Sequence, residues 1–261
     1  MHTFIFLTTV LLSTSILSSA VAIPQFLKAQ STPSNNSTIA ARASQLPFGA
    51  VITHCTVPGT IALTFDDGPY IYTSQMLDNL AAHNARATFF LNGVNRGHID
   101  AFPDLVRRSF AEGHQLGSHT WGHPNLIGLD SPTITAQMML LEDAFLRILG
   151  FFPTYMRAPF LFVDGTVLAV MAQLKYHVIG ASVDTKDYEN DHPDWSWRSF
   201  EKFRRELDSG GNIVLAHDSH ENTVAILVDN MLDEVEARGL STVTVGECLG
   251  DPPEFWYRTD R

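Results

Sequence analysis

The chain has 261 residues, of which 45% are hydrophobic and 17% are charged, and its formal net charge is −11. A chain of this length and apolar content can bury a full-sized core, and no internal repeat or long block of like charges divides it, so we expect a single domain. The acidic balance and the lack of clustered Lys and Arg argue against a nucleic-acid partner, because a phosphate-binding surface needs such clusters.

The chain begins with an apolar stretch that ends in small residues. Residues 4–17 are largely apolar, but Ser and Thr interrupt them and the stretch is short for a membrane span. Because Ala20 and Ala22 fit a cleavage site, residues 1–22 are predicted to be a signal peptide. We therefore expect a secreted protein, extracellular or in the cell wall, without a membrane span in its mature form. We also expect a monomer.

Residues 23–47 are rich in Ser, Thr, Asn, Gln and Ala. Overlapping acceptor sequences for N-glycosylation occur at Asn35 and Asn36. This composition predicts a flexible leader, open to glycosylation or processing, rather than a part of the packed fold.

From residue 60 onward, strand-like and helix-like patterns alternate. The predicted strands are residues 60–65, 87–91, 115–118, 155–157, 177–182, 213–216 and 241–245. The predicted helices are residues 73–83, 102–112, 131–149, 165–174, 199–208 and 223–238. Ser131 and Pro132 are typical of a helix start, with a hydroxyl N-cap and Pro at the first helical position.

Strict alternation of strands and helices indicates parallel strands joined by crossover helices. About seven such units in one α/β domain favour a (β/α) barrel, with an open doubly wound sheet as the alternative. The only cysteines, Cys55 and Cys248, lie near the two ends of this region. In an exported protein they are expected to form one disulfide, and two free buried thiols are the alternative.

Polar residues of chemically useful types fall at or just beyond the ends of the predicted strands. In a parallel barrel these ends share one face, which is where such folds place their active sites. The residues are Asp66, Asp67, His119, His123, Arg157, Asp184, Asp187 and His217.

Asp66 and Asp67 end an apolar run as two adjacent carboxylates. Like charges this close resist joint ionisation unless a cation or a separate donor holds them, which indicates a metal site with an acid–base group beside it; a simple turn is the alternative. His119 and His123 are four residues apart, so both imidazoles can face one side of a helical turn. With Asp67 they form a set of two nitrogens and one oxygen that suits zinc or another first-row divalent ion.

The other polar residues fit acid–base chemistry beside such a metal. Asp66 is the candidate base for the attacking water, and Arg157 can hold it ionised, although an ordinary structural ion pair is the alternative. His217 can protonate a leaving group, with either Asp184 or Asp187 raising its pKa. A complete acid and base set favours amide over ester hydrolysis, because an amide leaving group needs the proton.

Five ordered segments match the motifs of a known family: Thr64-Phe65-Asp66-Asp67-Gly68-Pro69, residues 118–123, Arg157-Ala158-Pro159-Phe160, Asp184-Thr185-Lys186-Asp187-Tyr188, and Leu215-Ala216-His217. On these motifs the chain resembles the polysaccharide deacetylases of carbohydrate esterase family 4, and within it the secreted fungal chitin deacetylases. The resemblance runs from about Phe48 to Asp251. It predicts a catalytic domain of residues 48–251 and a C-terminal tail of residues 252–261.

The resemblance implies a distorted (β/α) barrel and one divalent metal ion, usually zinc, with cobalt as the alternative. The implied metal ligands are Asp67, His119 and His123. The implied catalytic roles are base for Asp66, acid for His217, orientation of the base for Arg157 and tuning of the acid for Asp187. The implied substrate contacts are the main-chain N–H of Phe160 to the oxyanion, Leu215 to the acetyl methyl group, and stacking of the sugar on Tyr70, Trp121 and Tyr188.

The activity implied by the resemblance is removal of N-acetyl groups from β-1,4-linked N-acetylglucosamine in chitin or chitooligosaccharides. Acetylxylan and peptidoglycan are alternative substrates, because the motifs describe the acetyl group and the metal rather than the glycan. A non-catalytic chitin-binding protein is the alternative of a different class. Two motifs depart from the family pattern, with Phe160 in place of the common Tyr and Tyr188 in place of the common Trp. Both departures bear on glycan binding rather than on the chemistry.

Overall fold

The structure is a computed structural model that describes residues 46–261. The predicted signal peptide and the predicted leader up to residue 45, with Asn35 and Asn36, lie outside the described residues. Within residues 46–261, no helix combines the length and the apolar character that a membrane span requires.

The described chain alternates between short strands and helices, as the sequence pattern predicts. The strands are β1 (Val51–Ile52), β2 (Thr60–Asp66), β3 (Thr88–Leu91), β4 (Gln115–Ser118), β5 (Phe152–Pro153), β6 (Tyr155–Met156), β7 (His177–Ile179), β8 (Val183–Asp184), β9 (Ile213–His217), β10 (Ser241–Thr242) and β11 (Tyr257–Arg258). The helices are α1 (Thr73–Ala82), α2 (Pro103–Ala111), α3 (Ser131–Leu149), α4 (Gly165–Gln173), α5 (Ser196–Asp208), α6 (Val228–Ala237) and α7 (Val245–Cys248).

Nine strands form one parallel sheet that curves into the predicted distorted (β/α) barrel. Eight of them follow the order β1-β7-β6-β4-β3-β2-β9-β8, and β10 pairs with the first residues of β2. Among the described residues, β8 and β1 are not paired with each other, so the barrel is incomplete there. The two strands beyond the predicted seven are β1 and β8, which have two residues each and are too short to leave a periodic pattern.

The central strand β2 ends at Asp66, beside the ends of its neighbours β3 and β9. From Ile61 to Asp66 every residue of β2 is buried, as expected for a strand with neighbours on both edges and helices outside. It pairs with β3 on one edge and with β9 on the other, and the register places Asp66 opposite Phe90 and His217. Side chains at the carboxyl end of β2 therefore meet those of β9 at one face of the barrel.

Helix α3 has the predicted bounds, but Ser131 is not its N-cap. Asp130 takes that position, and its side chain accepts a hydrogen bond of 2.9 Å from the Thr133 N–H. A carboxylate one residue earlier reaches an unpaired amide of the first turn, so Ser131 becomes the first helical residue and Pro132 the second. The helix ends at Gly150, which adopts a left-handed φ of 83°.

Two long-range links connect distant parts of the chain near the amino ends of the strands. Cys55 and Cys248 form the predicted disulfide, with their Cα atoms 4.9 Å apart across a sequence separation of 193 residues. Beyond Asp251, β11 pairs antiparallel with β5, and the Tyr257 hydroxyl accepts a hydrogen bond of 2.9 Å from the Leu116 N–H. The segment 252–261 is thus packed against the rest of the fold.

Candidate active site

A cavity of about 800 Å³ opens at the carboxyl ends of the central strands. Most of the residues singled out from the sequence line it, because they follow neighbouring parallel strands whose ends share this face. The lining residues from the sequence prediction are Asp66, Asp67, His119, His123, Phe160, Asp184, Tyr188, Leu215 and His217. Arg157 and Asp187 stand directly behind this wall, in contact with Asp66 and His217 respectively.

Asp67, His119 and His123 form a cluster in which one potential ligand atom from each residue lies within 4.8 Å of the others. The carboxylate oxygen Oδ1 of Asp67 is 3.4 Å from Nε2 of His123 and 3.8 Å from Nε2 of His119. Two imidazole nitrogens and a carboxylate oxygen are ligands that zinc accepts. Among the described residues this is the only cluster of His, Cys, Asp and Glu side chains with such geometry.

The environment of His119 also fits a metal ligand. Its Nδ1–H donates a hydrogen bond of 2.7 Å to the carbonyl oxygen of Arg157, which leaves the lone pair of Nε2 directed toward Asp67. Burial lowers the pKa of His119 to about 3, so the ring is neutral. A metal-binding imidazole needs this state, with one nitrogen fixed by a carbonyl and the other unprotonated.

The backbone around the cluster is held in an unusual conformation. Asp67, Thr120 and His123 have positive φ values of 75°, 71° and 53°, which L-residues other than Gly rarely adopt. The Asn92 side chain donates hydrogen bonds of 2.5 Å to the His119 carbonyl and 3.0 Å to the Thr120 carbonyl. These contacts fix the turn that carries the two histidines.

Asn92 and Asn95 support the cluster, and the sequence analysis did not identify either. Asn95 Nδ2 donates to Asp67 Oδ1 at 2.7 Å and to Asn92 Oδ1 at 3.1 Å. Both follow β3, which ends at Leu91. The rule that selected the other site residues, a polar side chain just beyond a strand, would have found Asn92 as well.

Asp66 is held by a fully buried arginine. Arg157 Nη1 donates to Asp66 Oδ1 at 2.8 Å, while its other nitrogens donate to the carbonyls of Gly180 at 2.8 Å and Ile179 at 3.2 Å. Burial raises the pKa of Asp66 above that of an ordinary carboxyl group, and the Arg157 guanidinium works against that rise. The second oxygen, Asp66 Oδ2, lies 3.7 Å from His119 Nε2 and so faces the metal-binding cluster.

His217 is paired with Asp187 and not with Asp184. Its Nδ1–H donates to Asp187 Oδ1 at 2.8 Å, and its main-chain N–H donates to Asp187 Oδ2 at 2.7 Å. Burial disfavours the charged ring, but the Asp187 carboxylate outweighs burial and raises the pKa of His217 to about 9. Asp184 instead lies 3.3 Å from the Lys186 ammonium at the rim. Of the two carboxylates left open by the sequence, Asp187 is the partner.

The aromatic candidates divide into two groups. Phe160 and Tyr188 line the cavity, where the Phe160 ring lies 4.7 Å from the ring of His123 and the Tyr188 ring lies 5.4 Å from that of His217. Tyr70 and Trp121 do not line it. The Trp121 ring packs so closely over Gly93 that any side chain there would overlap it, since a Cβ at this position would lie only 1.9 Å from Trp121 Cε3.

A parallel barrel with an acid, a base and a candidate metal cluster at its strand ends has the site of a metal-assisted hydrolase. The family model for polysaccharide deacetylases matches residues 53–179. The chitin deacetylase of Colletotrichum lindemuthianum is 49% identical over 230 residues, covering 86% of this chain and 92% of the relative. The chain belongs to the polysaccharide deacetylase family.

Two further comparisons agree with this assignment. A chitin deacetylase of Arthroderma benhamiae is 52% identical over 214 residues, which cover 82% of this chain and 58% of that relative. The solved structure of the chitin deacetylase from the fungal pathogen Colletotrichum lindemuthianum matches with a TM-score of 0.80 and 47% identity, covering 83% of this chain and 98% of that structure.

Proposed function

We propose that this chain is a secreted, metal-dependent chitin deacetylase. It hydrolyses the acetamido group of β-1,4-linked N-acetylglucosamine in chitin or chitooligosaccharides, releases acetate and leaves glucosamine. One observation carries the proposal: the pairs Arg157–Asp66 and Asp187–His217 present a base and an acid to the same cavity as the Asp67, His119 and His123 cluster. The identity to two chitin deacetylases supports the choice of glycan.

Asp67, His119 and His123 are the residues that would hold a divalent ion, with zinc the first choice and cobalt the second. When bound, such an ion polarises the acetyl carbonyl and makes a neighbouring water more acidic. The neutral state of His119 and its fixed Nδ1 contact prepare the cluster for this ion without a change of protonation.

Asp66 is the base that takes the proton from the attacking water. Its Oδ1 is occupied by Arg157, so Oδ2, on the side of the metal cluster, is the oxygen that accepts the proton. Burial makes this carboxylate more basic than an exposed one, and the Arg157 contact keeps it ionised and fixes its orientation.

His217 is the acid that protonates the departing amine nitrogen. Asp187 holds its Nδ1–H, so Nε2–H is the group directed to the substrate. A pKa of about 9 keeps the ring protonated at neutral pH, which amide cleavage needs because the free amide anion is a poor leaving group. The main-chain N–H of Phe160 stabilises the oxyanion, and Leu215 contacts the acetyl methyl group.

The glycan lies across the mouth of the cavity. Tyr188 and Phe160 are 41% and 56% exposed there and offer faces for a sugar ring, while Tyr70 and Trp121 contact more distant units. The enzyme acts as a monomer outside the cell or in the cell wall.

The test is acetate release from soluble N-acetylglucosamine oligomers by the zinc-loaded protein, the chelated protein and the Asp66→Asn variant. We expect release only from the zinc-loaded parent. Asp104→Asn, whose side chain is 95% exposed, is the matched control and should retain full activity. Release from acetylxylan or peptidoglycan but not from the oligomers would assign another glycan. Binding of the oligomers without release would favour the non-catalytic chitin-binding alternative.

A further inference from the structure

The wall of the cavity contains a second aspartate–histidine pair that no step of the proposed reaction uses. His220 lines the cavity and is 8% exposed. Its Nδ1 lies 3.0 Å from Asp191 Oδ2, a hydrogen bond in which the ring donates. The pair comes from the same two chain segments as the Asp187–His217 pair. Asp191 lies four residues after Asp187, and His220 lies three residues after His217.

Asp191 is itself fixed in position. Its Oδ1 accepts hydrogen bonds of 2.9 Å from both the main-chain N–H and the side-chain amide of Asn222. Burial works against its ionisation, but the hydrogen bonds from Asn222 and His220 lower its pKa. Asp191 is therefore a carboxylate with three donors, and it fixes the imidazole of His220 as Asp187 fixes that of His217.

The second ring nitrogen of His220, Nε2, is free to bind a ligand. Its Nε2 has no hydrogen-bond partner among residues 46–261, and it is not sealed off from solvent. The ring contributes to no metal-binding cluster in this part of the chain. An oriented imidazole with one free nitrogen in a cavity wall is suited to bind a hydroxyl group, which can donate to that nitrogen or accept from it.

The position of His220 relative to the acid points to the same ligand. Its ring lies edge-on to the His217 ring, with centroids 5.5 Å apart, and the Tyr188 ring packs edge-on against His217 at 5.4 Å. The His220 main-chain N–H donates to the His217 carbonyl at 3.5 Å, but no hydrogen bond of the described residues joins the two rings, and Nδ1 of His217 is taken by Asp187. A sugar whose amine meets His217 therefore has a stacking ring and a polar imidazole within reach.

We propose that His220, oriented by Asp191, is a substrate-positioning residue whose Nε2 hydrogen-bonds a hydroxyl group of the glycan beside the acetamide under attack. This inference rests on the proposed deacetylase function and assigns His220 to glycan recognition, not to proton transfer. It predicts that the residue matters for substrates that carry sugar hydroxyls and not for those that lack them.

The test compares His220→Phe and His220→Gln with the zinc-loaded parent on tetra-N-acetylchitotetraose and on 4-nitrophenyl acetate, which has no sugar. Loss of one hydrogen bond is expected to lower kcat/KM on the tetramer about tenfold in His220→Phe, mostly through KM. His220→Gln, which keeps a polar group, should recover part of this loss. Activity on the acetate ester and the basic limb of the pH profile should stay unchanged.

Two further variants make the interpretation specific. Asp191→Asn should produce a smaller loss of the same kind, and none beyond that of His220→Phe in the double variant, since Asp191 acts through His220. His83→Phe is the matched control, because His83 also lies beside carboxylates, 3.9 Å from Asp229, but does not line the cavity. It should retain the parent kcat and KM.

The inference is overturned if His220→Phe leaves kcat/KM on the tetramer unchanged, slows both substrates equally, or moves the basic limb. The last two results would mean that His220 acts on His217 or on the fold. If the parent releases no acetate from the tetramer, the proposed function fails separately. The inference is then decided by the Kd of the tetramer for Asp66→Asn with and without His220→Phe: a tenfold weakening supports it, and equal or undetectable binding rejects it.

Discussion

Asp66 and His217 are register partners in the adjacent parallel strands β2 and β9. The spacing of the proposed base and the proposed acid is therefore set by the hydrogen-bond register of the sheet. Each is the last residue of its strand, and each is anchored from behind by a buried group of opposite charge, Arg157 in one case and Asp187 in the other. This relationship leads to specific expectations for variants.

Replacement of Arg157 by Lys should damage both catalysis and stability. A lysine cannot donate at once to Asp66 and to the carbonyls of Ile179 and Gly180, so buried acceptors lose their partners at a cost of about 1–3 kcal/mol each. We expect a lower Tm in thermal denaturation and a loss of kcat of about a hundredfold or more. Asp66 would also become harder to ionise, so the loss should be larger at pH 6 than at pH 8.

Arg107→Lys provides the control for this variant. Arg107 is partly exposed, and its ion-pair partner in the described part of the chain is the exposed Asp104, at 2.8 Å. Exposed pairs of this kind contribute about 0–1 kcal/mol, so Tm and kcat should match the parent. An Arg157→Lys protein as active and as stable as the parent would contradict the proposed role of Arg157.

The pH profile of kcat/KM should show a basic limb near pH 9. His217 must be protonated to act as the acid, and Asp187 raises its pKa to about 9, so activity is lost as pH rises through that value. Asp187→Asn removes the carboxylate that raises the pKa of His217, so this pKa falls and the basic limb moves to lower pH. We also expect a loss of kcat of about a hundredfold. Initial rates of acetate release between pH 5 and pH 10 measure both effects.

Asp184→Asn is the matched control for Asp187→Asn. Asp184 lines the same cavity, but its contact is with Lys186 and not with His217. Its basic limb should coincide with that of the parent. A shift of equal size in both variants would show that the limb reports the general negative charge of the cavity and not the Asp187–His217 pair.

Addition of zinc should stabilise the protein through Asp67, His119 and His123. A ligand that binds only the folded state adds about 2.7 kcal/mol at a concentration a hundred times its Kd. We expect Tm to rise on zinc addition to the chelated parent and to stay constant for His123→Ala. His98→Ala removes a half-exposed histidine from outside the cluster and should keep the full rise. An undiminished rise in His123→Ala would place the ion elsewhere.

Removal of the disulfide should lower stability without changing the site. Cys55 and Cys248 close a loop of 193 residues, and a double Cys→Ala variant should lose about 2–5 kcal/mol of unfolding free energy. Urea denaturation measures this loss. Because neither cysteine lines the cavity, KM should be unchanged at temperatures where the variant is folded. Parent-like stability would mean that the link does not constrain the unfolded chain.

Much of the site was predictable because one simple pattern produces it. An apolar run that stops at Asp66, Ser118 or His217 marks a buried parallel strand, and all such strands end at one face. The choice between Asp184 and Asp187 could not be made this way. A short 3₁₀ turn, Asp187–Glu189, brings Asp187 under His217, and a turn of that length has no periodic pattern.

Contacts between loops were the other part that the sequence did not predict. Asn92 and Asn95 hydrogen-bond to residues of the candidate metal-binding cluster, and Asp191 hydrogen-bonds to His220, each across a sequence separation of about thirty residues. Their partners are decided by how the loops fold over the barrel rather than by any local spacing. The N-cap of α3 differed for a more local reason, because two adjacent residues, Asp130 and Ser131, are both good caps.

The left-handed residues are unevenly distributed. Residues 46–261 include eight non-glycine residues with positive φ, and six of them are at or beside the cavity: Asp67, Thr120, His123, Phe160, Leu161 and Lys186. Each such conformation costs on the order of 1 kcal/mol relative to a relaxed backbone. Among residues 46–261, backbone strain is thus concentrated at the cavity end of the barrel, and a ligand that binds there only in the folded state would offset part of its cost. Substitutions that relax these turns would then raise the stability of the unliganded fold and change how well the cavity binds its ligand.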